Sequence, residues 1–565
     1  MSGLITYTGR RRFALALVFA VSGLMMWRAV DLQLTDHEIL KDRGDATHLR
    51  VVEIQANRGM ITDRLGQPLA ITTPISSVWA VPKQLWRQQS RWSDLANVLG
   101  TNTDHLRTLI EPRINREFIY LKRHVTPKVA AQAIALNVKG VALMQESRRY
   151  YPTGEVAAHI VGFTNVDDAG QEGIELALDD RLKGRSGAKR VIKDRLGRII
   201  ENVESINPAR AGGAVRLTID KRIQYSAYRE LKSAVRLHRA KAGSIVILDV
   251  KTGEILAMVN QPSFNPNNRN GLKGEYYRNR AVTDVFEPGS TIKPFTIATA
   301  LESGSFLPSS EVDTRPGIFE VGIDKVRDIN NYGVINLVNV VVKSSNVGAS
   351  KVALSMDPEF LWRVLDNVGF GISTFGGLPG ESAGRLPDHR NWRQIEHATI
   401  AFGYGLSVTA LQLARAYAVL GNDGIALPTR IVHSNMAFTG ERVFSKETVR
   451  QVRQMLTMVV RTGSGRRAAV PGYSVAGKTG TVHKATAGGY AEDRYVSLFA
   501  GVAPADEPQV AAVVTIDEPQ RGEHFGGRVA APIFGSVMSD TLRLLNVPPD
   551  EFDADVGRLA VAEQL

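Results

Sequence analysis

The chain has 565 residues, 44% of them hydrophobic and 22% charged, a composition that excludes disordered, fibrous and multi-span membrane classes. The 69 basic and 57 acidic residues leave a net charge of +12, which suits anionic surroundings without choosing between nucleic acid, membrane surface and wall polymer. Cysteine is absent, so disulfide frameworks, thiolate nucleophiles and zinc–thiolate sites are excluded.

Residues 13–27 read FALALVFAVSGLMMW, behind Arg10, Arg11 and Arg12 and ahead of Arg28. As a helix this run spans about 22 Å, so the flanking arginines must snorkel and residues 29–34 must help to cross a core of about 30 Å. Leu24 to Trp27 are too bulky for a signal cleavage site, and arginines massed at one end are the positive-inside pattern. The sequence therefore predicts a cytoplasmic N-terminus over 1–12 and a single transmembrane anchor over 13–33. The remainder is placed outside the cytoplasmic membrane.

From residue 34 to about 213, short β-rich runs alternate with charged helical stretches. Two turn-rich boxes stand out, Arg58-Gly59 to Gly66 and Tyr151-Pro152-Thr153-Gly154 to Gly173. Their charges Arg58, Asp63, Arg64, Arg149, Glu172 and Glu175 read as buried ion pairs and turns, and His159 as a packed polar residue. INPARAGG over 206–213 is a linker signal. Beyond it the sequence predicts a strand over 214–219, a helix over 221–237, strands over 244–249 and 254–259 about a Lys251-Thr252-Gly253 turn, helices over 411–420 and 446–460, and strands over 496–501 and 509–516. Strands at both ends with helices between them give an α+β domain over 214–546. Residues 547–565 read as an acidic surface tail.

Three short motifs mark one kind of serine acyl transfer: S-x-x-K, S-x-N and K-[ST]-G. They occur twice. Ser186 with Lys189, Ser205 with Asn207, and Lys251-Thr252-Gly253 crowd into 68 residues, too few to build a sheet-and-helix site, and read as chance. In the second set, Ser290-Thr-Ile-Lys293 opens an apolar helix with Pro294 in its first turn, which puts hydroxyl and amine on one face. Ser344-Ser345-Asn346 follows 54 residues after Ser290, and Lys478-Thr479-Gly480-Thr481 follows 188 residues after it. Only this set has a domain-sized frame.

The residue types fit the chemistry. A serine hydroxyl attacks once a base takes its proton, and Lys293 can be that base if burial and a neighbouring cation, Lys478, keep it neutral. Ser344 can relay a proton, and Asn346 can hold Lys293 and a substrate amide. Thr479, Gly480 and Thr481 on an edge strand suit a substrate carboxylate. The backbone N–H groups of Ser290 and Thr481 would form the oxyanion hole. The eleven histidines show no metal-ligand spacing, and no cofactor or metal is expected.

On these residues the chain resembles the class B penicillin-binding proteins, in their division-specific branch. The likeness extends to Arg58-Gly-Met-Ile-Thr-Asp-Arg64, Arg149-Tyr-Tyr-Pro-Thr-Gly154, Phe286-Glu-Pro-Gly-Ser-Thr-Ile-Lys-Pro-Phe295, Gly403-Tyr-Gly-Leu-Ser-Val-Thr409 and Phe525-Gly-Gly-Arg-Val-Ala-Ala-Pro532, and runs from about residue 10 to 547. It implies a penicilloyl serine transferase fold, with a five-stranded antiparallel sheet between helical layers, carried on an elongated pedestal (dimerisation-like) module over 34–213. It implies cross-linking of peptidoglycan stem peptides ending in D-Ala-D-Ala, septal use during division and inhibition by β-lactams. It also implies an inner-membrane location with a periplasmic catalytic domain, and as partners a membrane-embedded glycan polymerase and other division-site proteins. No nucleic-acid motif appears.

Two rival readings share these residues. A β-lactam sensor or hydrolase would also use the serine and lysines. A hydrolase needs a further base, for which Glu381 and Glu396 are the candidates without a recognisable motif. Gly472 to Thr479 also fits the P-loop pattern, with Asp517 and Glu518 after an apolar strand. No helix pattern follows Thr481, however, and Pro471 interrupts the preceding strand.

Overall fold

A computed structural model describes residues 8–35, 49–193, 199–271, 273–436, 438–486 and 489–551. The chain forms two compact units, one from residues 1–57, 74–147 and 184–212, the other from residues 58–73, 148–183 and 213–565.

The smaller unit begins with the helix Thr8–Val30, which continues through a π-turn, Asp31–Thr35. Thr8–Gln33 is long and apolar enough to cross a membrane, with none of it buried within the protein. Its 26 residues reach about 39 Å, so the three arginines lie within the helix rather than ahead of it. Phe13, Phe19 and Trp27 are all exposed, as lipid-facing side chains would be. The sequence places 1–12 on the cytoplasmic side, and residues 1–7 of that segment lie outside the described residues.

Further on, Leu49–Ile54, Gly187–Lys193 and Ile199–Asn207 form a three-stranded antiparallel sheet with Gly187–Lys193 in the middle. The predicted linker starts two residues too early: Ala188 pairs with Asn207, which holds Ile206 and Asn207 in the strand, so the chain leaves the sheet only at Pro208. A separate core packs the helices Trp92–Leu99 and Thr103–Ile110 against Val78, Ile119 and Leu121.

The larger unit is built on a five-stranded antiparallel sheet in the order Ile255–Gln261, Ala242–Asp249, Val510–Asp517, Gly489–Ala503, Ala476–Thr486. Strands from both ends of the domain thus meet in its middle, as the sequence predicts. Their near-continuous apolar runs are buried on both faces. One face packs against the helices Lys221–Leu237 and Gly526–Leu544, the other against Ala410–Gly421. The helix Lys221–Leu237 starts where Asp220 accepts the N–H of Arg222. The predicted strand over 214–219 shrinks to Val215–Arg216, parallel to Ile61–Thr62, because Thr218 gives its N–H to the carbonyl of Ile431 and its hydroxyl to that of Ile255 instead of a ladder.

The boxed charges of this unit are structural. Glu175 is fully buried and receives Arg58 on one oxygen at 2.5 Å and Arg149 on the other at 2.6 Å. Such a pair is costly to break, since either guanidinium alone would leave a buried charge. Asp63 accepts the N–H groups of Leu65 and Gln67 and closes the turn. His159 bonds the carbonyl of Tyr276 at 2.9 Å and packs on Phe264, and burial pulls its pKa down to about 4. The tail is pinned at its start, where Tyr473 donates to the carbonyl of Val547 and Ser474 N–H to Asp550. Residues 552–565 of the tail lie outside the described residues.

Candidate active site

Three pieces of chain meet at the edge of the large sheet. The first is Phe286–Ser290. Phe286 exchanges both backbone hydrogen bonds with Val408, and Gly289 N–H bonds Gly403 at 3.0 Å. The approach of these two glycines admits no side chain: a Cβ on Gly403 would stand 2.1 Å from the Gly289 carbonyl oxygen, and Gly289 itself has φ +52°. Ser290 lies in a 3₁₀ turn, Gly289–Thr291, and the helix proper runs over Lys293–Glu302. Ser290, expected to open the helix, thus sits one short turn ahead of its observed start, half-exposed, while Lys293 is fully buried. Tyr417, buried on Ala410–Gly421, anchors the turn by donating to the carbonyl of Thr291 at 2.9 Å.

The second piece is the turn between the helices Leu337–Lys343 and Asn346–Leu354. Ser344 ends the first in the left-handed region, φ +61°, ψ +41°. A non-glycine residue pays for this with strain of order 1–3 kcal/mol and holds it only where neighbours enforce it. Two groups do so here. Ser345 caps the second helix by accepting the N–H of Gly348 at 2.8 Å, and Asp328 accepts the N–H groups of Asn346 and Val347 and the hydroxyl of Ser345. A carboxylate at a helix N-terminus is favoured by the dipole.

The third piece is the edge strand Ala476–Thr486. Lys478 is fully buried and donates to Ser344 Oγ at 2.9 Å. Thr479 Oγ1 shares a 2.6 Å hydrogen bond with Ser464 Oγ. Thr481 Oγ1 accepts the N–H of Gly526 at 2.9 Å, which leaves its own proton free to point at a ligand. Gly480 has no Cβ where Thr291 passes; one built there would meet Thr291 Cγ2 at 3.1 Å.

The three pieces converge on one oxygen. Ser344 Oγ lies 3.0 Å from Ser290 Oγ, 3.1 Å from Lys293 Nζ and 2.9 Å from Lys478 Nζ. Lys293 also donates to the Ser344 carbonyl at 2.5 Å and to Asn346 Oδ1 at 2.7 Å. Sequence spacing points to direct reach between Ser290 and Lys293; among the described residues the hydrogen bonds run from each to Ser344. All five predicted catalytic side chains are therefore in one network, with Thr479, Gly480 and Thr481 beside it.

Burial, reinforced by the like charge of Lys478 and opposed by Asp328, pushes the pKa of Lys293 well below that of an ordinary lysine. Burial also pulls Lys478 down to about 7. A neutral Lys293 has two N–H groups and one lone pair. Its two shorter contacts, to the Ser344 carbonyl and Asn346, take the N–H groups, and the lone pair is left facing Ser344 Oγ. That hydroxyl can then donate to Lys293 and accept from Ser290 and Lys478, one donation and two acceptances, which is the capacity of a hydroxyl. The arrangement can carry a proton from Ser290 through Ser344 to Lys293.

Residues that sequence reasoning passed over include Asp328, Ser464 and Tyr417. Asp328 lies in an irregular segment 18 residues before Asn346, with no motif around it, so nothing local marks it. The candidate hydrolytic bases are engaged elsewhere. Glu381 accepts from Thr374 Oγ1 and from the N–H groups of Gly376 and Leu378, closing its own loop, and Glu396 caps the helix Gln394–Ile400 with Arg393. In the chance set, Lys189 sits opposite Ser205 in the small sheet of the other unit, and Lys251 and Thr252 give their N–H groups to Asp249 in a turn. The P-loop pattern also dissolves: Gly472 is in a turn and Lys478-Thr479 lie inside a strand, with no helix following.

Comparison with known proteins identifies the family. The model of the penicillin binding protein transpeptidase domain matches residues 243–539, and that of the penicillin-binding protein dimerisation domain matches residues 53–217. Peptidoglycan D,D-transpeptidase FtsI of Escherichia coli K12 is 44% identical over 95% of this chain and 92% of its own length. Probable peptidoglycan D,D-transpeptidase PbpC of Pseudomonas aeruginosa is 41% identical over 94% of each. Among solved structures, penicillin-binding protein 3 of Mycobacterium tuberculosis, complexed with aztreonam, matches with a TM-score of 0.70 and 30% identity over 88% of this chain and 98% of that one. The transpeptidase domain of Burkholderia pseudomallei penicillin-binding protein 3 matches with a TM-score of 0.55 and 44% identity over 60% of this chain and 98% of that one. With a transpeptidase domain covering more than half of its length and full-length relatives at this identity, the chain belongs to the penicillin-binding protein transpeptidase family.

Proposed function

We propose that this chain is a peptidoglycan D,D-transpeptidase that cross-links stem peptides through an acyl-enzyme on Ser290. The observation that carries the reading is the Ser344 hydroxyl placed between the nucleophile and two buried lysines. Lys293 receives the proton of Ser290 by way of Ser344 as Ser290 Oγ attacks the carbonyl between the two D-alanines. The bond to the terminal D-alanine breaks, and the proton returns through Ser344 to the leaving amine. An acceptor amine of a second stem peptide then attacks the ester, gives up a proton along the same path and frees Ser290. Asn346 holds Lys293 and a substrate amide, Lys478 and Thr481 bind the terminal carboxylate with Thr479 and Gly480 alongside, and the N–H groups of Ser290 and Thr481 take the oxyanion. A β-lactam mimics the donor and stops at the ester.

The functional division that goes with this reading is an anchor over 13–33, a pedestal over 34–213, a transpeptidase domain over 214–546 and a tail over 547–565. The apolar helix at the start supports a single-pass inner-membrane protein with its N-terminus cytoplasmic and the catalytic domain periplasmic. The likeness to FtsI supports septal wall synthesis, beside a membrane-embedded glycan polymerase and other division-site membrane proteins.

The test is release of D-alanine from a pentapeptide ending in D-Ala-D-Ala, with formation of cross-linked dimer when an amine acceptor is added. Ser290→Ala should abolish both while Ser186→Ala changes neither. Undiminished release by the Ser290→Ala protein would contradict the reading.

A further inference from the structure

The helices Lys221–Leu237 and Gly526–Leu544 lie side by side on the sheet, and two hollows open along their solvent side. One, of about 320 Å³, is lined by Tyr225, Tyr228, Arg229, Lys232, Ser233 and Arg236. The other, of about 310 Å³, is lined in part by Arg467, Pro471, Ser536, Asp540 and Arg543. Asp540 joins them, pairing with Arg229 at 3.3 Å and Arg543 at 2.5 Å. Five basic side chains and one acidic side chain line the pair of hollows.

What matters is which groups are unspent. Arg229, Lys232 and Arg543 are engaged by Asp540, Glu230 and Glu155. Among the described residues, no ion pair within 4 Å and no side-chain hydrogen bond takes Arg236 or Arg467, nor the hydroxyls of Ser233 and Ser536; Arg236 feels Glu155 only at longer range, and that carboxylate is already held by Lys232. Guanidinium groups only donate, so the free capacity is chiefly that of donors. Tyr225 adds an aromatic ring that is 54% exposed. A fitting occupant is extended, rich in anionic and hydroxyl oxygens, and able to lay an apolar face on a ring.

We propose that this face is a second binding site for the anionic glycan–peptide polymer of the cell wall. This rests on the reading that the chain works on that polymer. A single stem-peptide end fills only the cleft at Ser290, whereas a polymer reaches further. The helix Gly526–Leu544 starts beside Thr481, and Ser536 is ten residues along it, about 15 Å away by helical rise. A strand held there by several weak charge contacts stays near the enzyme while its peptide ends exchange at the cleft.

The test uses the full chain in detergent, first acylated with penicillin so that the cleft is blocked, and measures cosedimentation with purified peptidoglycan sacculi. Arg236→Glu with Arg467→Glu should weaken binding about tenfold, equivalent to about 1.4 kcal/mol; both cations are exposed and neither is held in a close ion pair, Arg236 feeling Glu155 only at longer range, so folding is spared. Lys128→Glu with Lys139→Glu, the same charge change at exposed positions of the other unit, should leave binding intact. Added salt should weaken the wild-type interaction. Equal loss in both pairs, or wild-type binding abolished by acylation, would overturn the second site. Penicillin labelling of wild type and variants reads the Ser290 assignment separately, and its absence would count against that assignment and not against this one.

Discussion

Ser344 carries most of the proposed chemistry, because in that reading its one hydroxyl donates to Lys293 and accepts from Ser290 and Lys478. The two lysines it contacts are chemically alike and differ in what surrounds them. Lys293 has both a carbonyl and an amide oxygen to hold it and a like charge to neutralise it, while Lys478 is depressed by burial alone. In the proposed reaction Lys293 must be neutral and Lys478 charged. Lys293→Arg keeps a cation that cannot deprotonate and should reduce acylation by penicillin by roughly a thousandfold, within the range of general-base catalysis. Lys478→Arg should cost less. The pH profile separates them: a cation needed for binding is lost as pH rises through its pKa, so the second-order acylation rate should fall on the alkaline side about a midpoint near 7. Arginine at 478 should remove that fall. Equal tolerance of arginine at both positions, or an unaltered alkaline limb in Lys478→Arg, would contradict separate roles.

At the scale of elements, the Ser344 turn is held by the segment carrying Asp328 rather than by its own sequence. Asp328→Asn keeps an acceptor for the backbone N–H groups but loses the charge at the helix N-terminus and an acceptor oxygen for Ser345. Charge-assisted bonds of this kind contribute about 1.5–3 kcal/mol, so acylation should slow by about tenfold or more. Asp328 also favours the charged form of Lys293, so its neutralisation should move the acidic limb of the rate profile to lower pH, a shift that simple loosening of the turn would not produce. Unchanged acylation and an unmoved acidic limb would count against this role. This turn marks the limit of what the sequence discloses. The helix Lys221–Leu237 is legible to the residue, since an Asp220 cap and an amphipathic face announce it locally. The three motifs are legible too, because each is a short run on one element. The Asp328 clasp that holds Ser344 left-handed and the Ser464–Thr479 bond join residues 15 or more apart, and no local pattern records which will meet. The early linker and the shortened strand fail for the same reason: the pairing of Asn207 with Ala188 and the bonds of Thr218 to Ile431 and Ile255 are tertiary.

At the scale of the whole molecule, the sheet gathers its strands from residues 242–261 and 476–517, and the turns that carry Ser290 and Ser344 lie in the long insertion between them. Closing the sheet is what brings Lys478 to Ser344, so the site exists only when the entire domain is folded. The same architecture governs the fate of the acyl-enzyme. Glu381 and Glu396, the candidate bases of a hydrolase, are committed to a loop and a helix cap, whereas a cross-linking enzyme must keep its ester until an amine arrives. The most direct test is intact-mass spectrometry of the full chain over a time course after a brief exposure to penicillin, followed by mapping of the modified peptide. A single penicilloyl adduct on the peptide containing Ser290, persisting for many minutes, is the predicted result. Rapid return to the unmodified mass with penicillin consumed in large molar excess, or an adduct on any other serine, would contradict it.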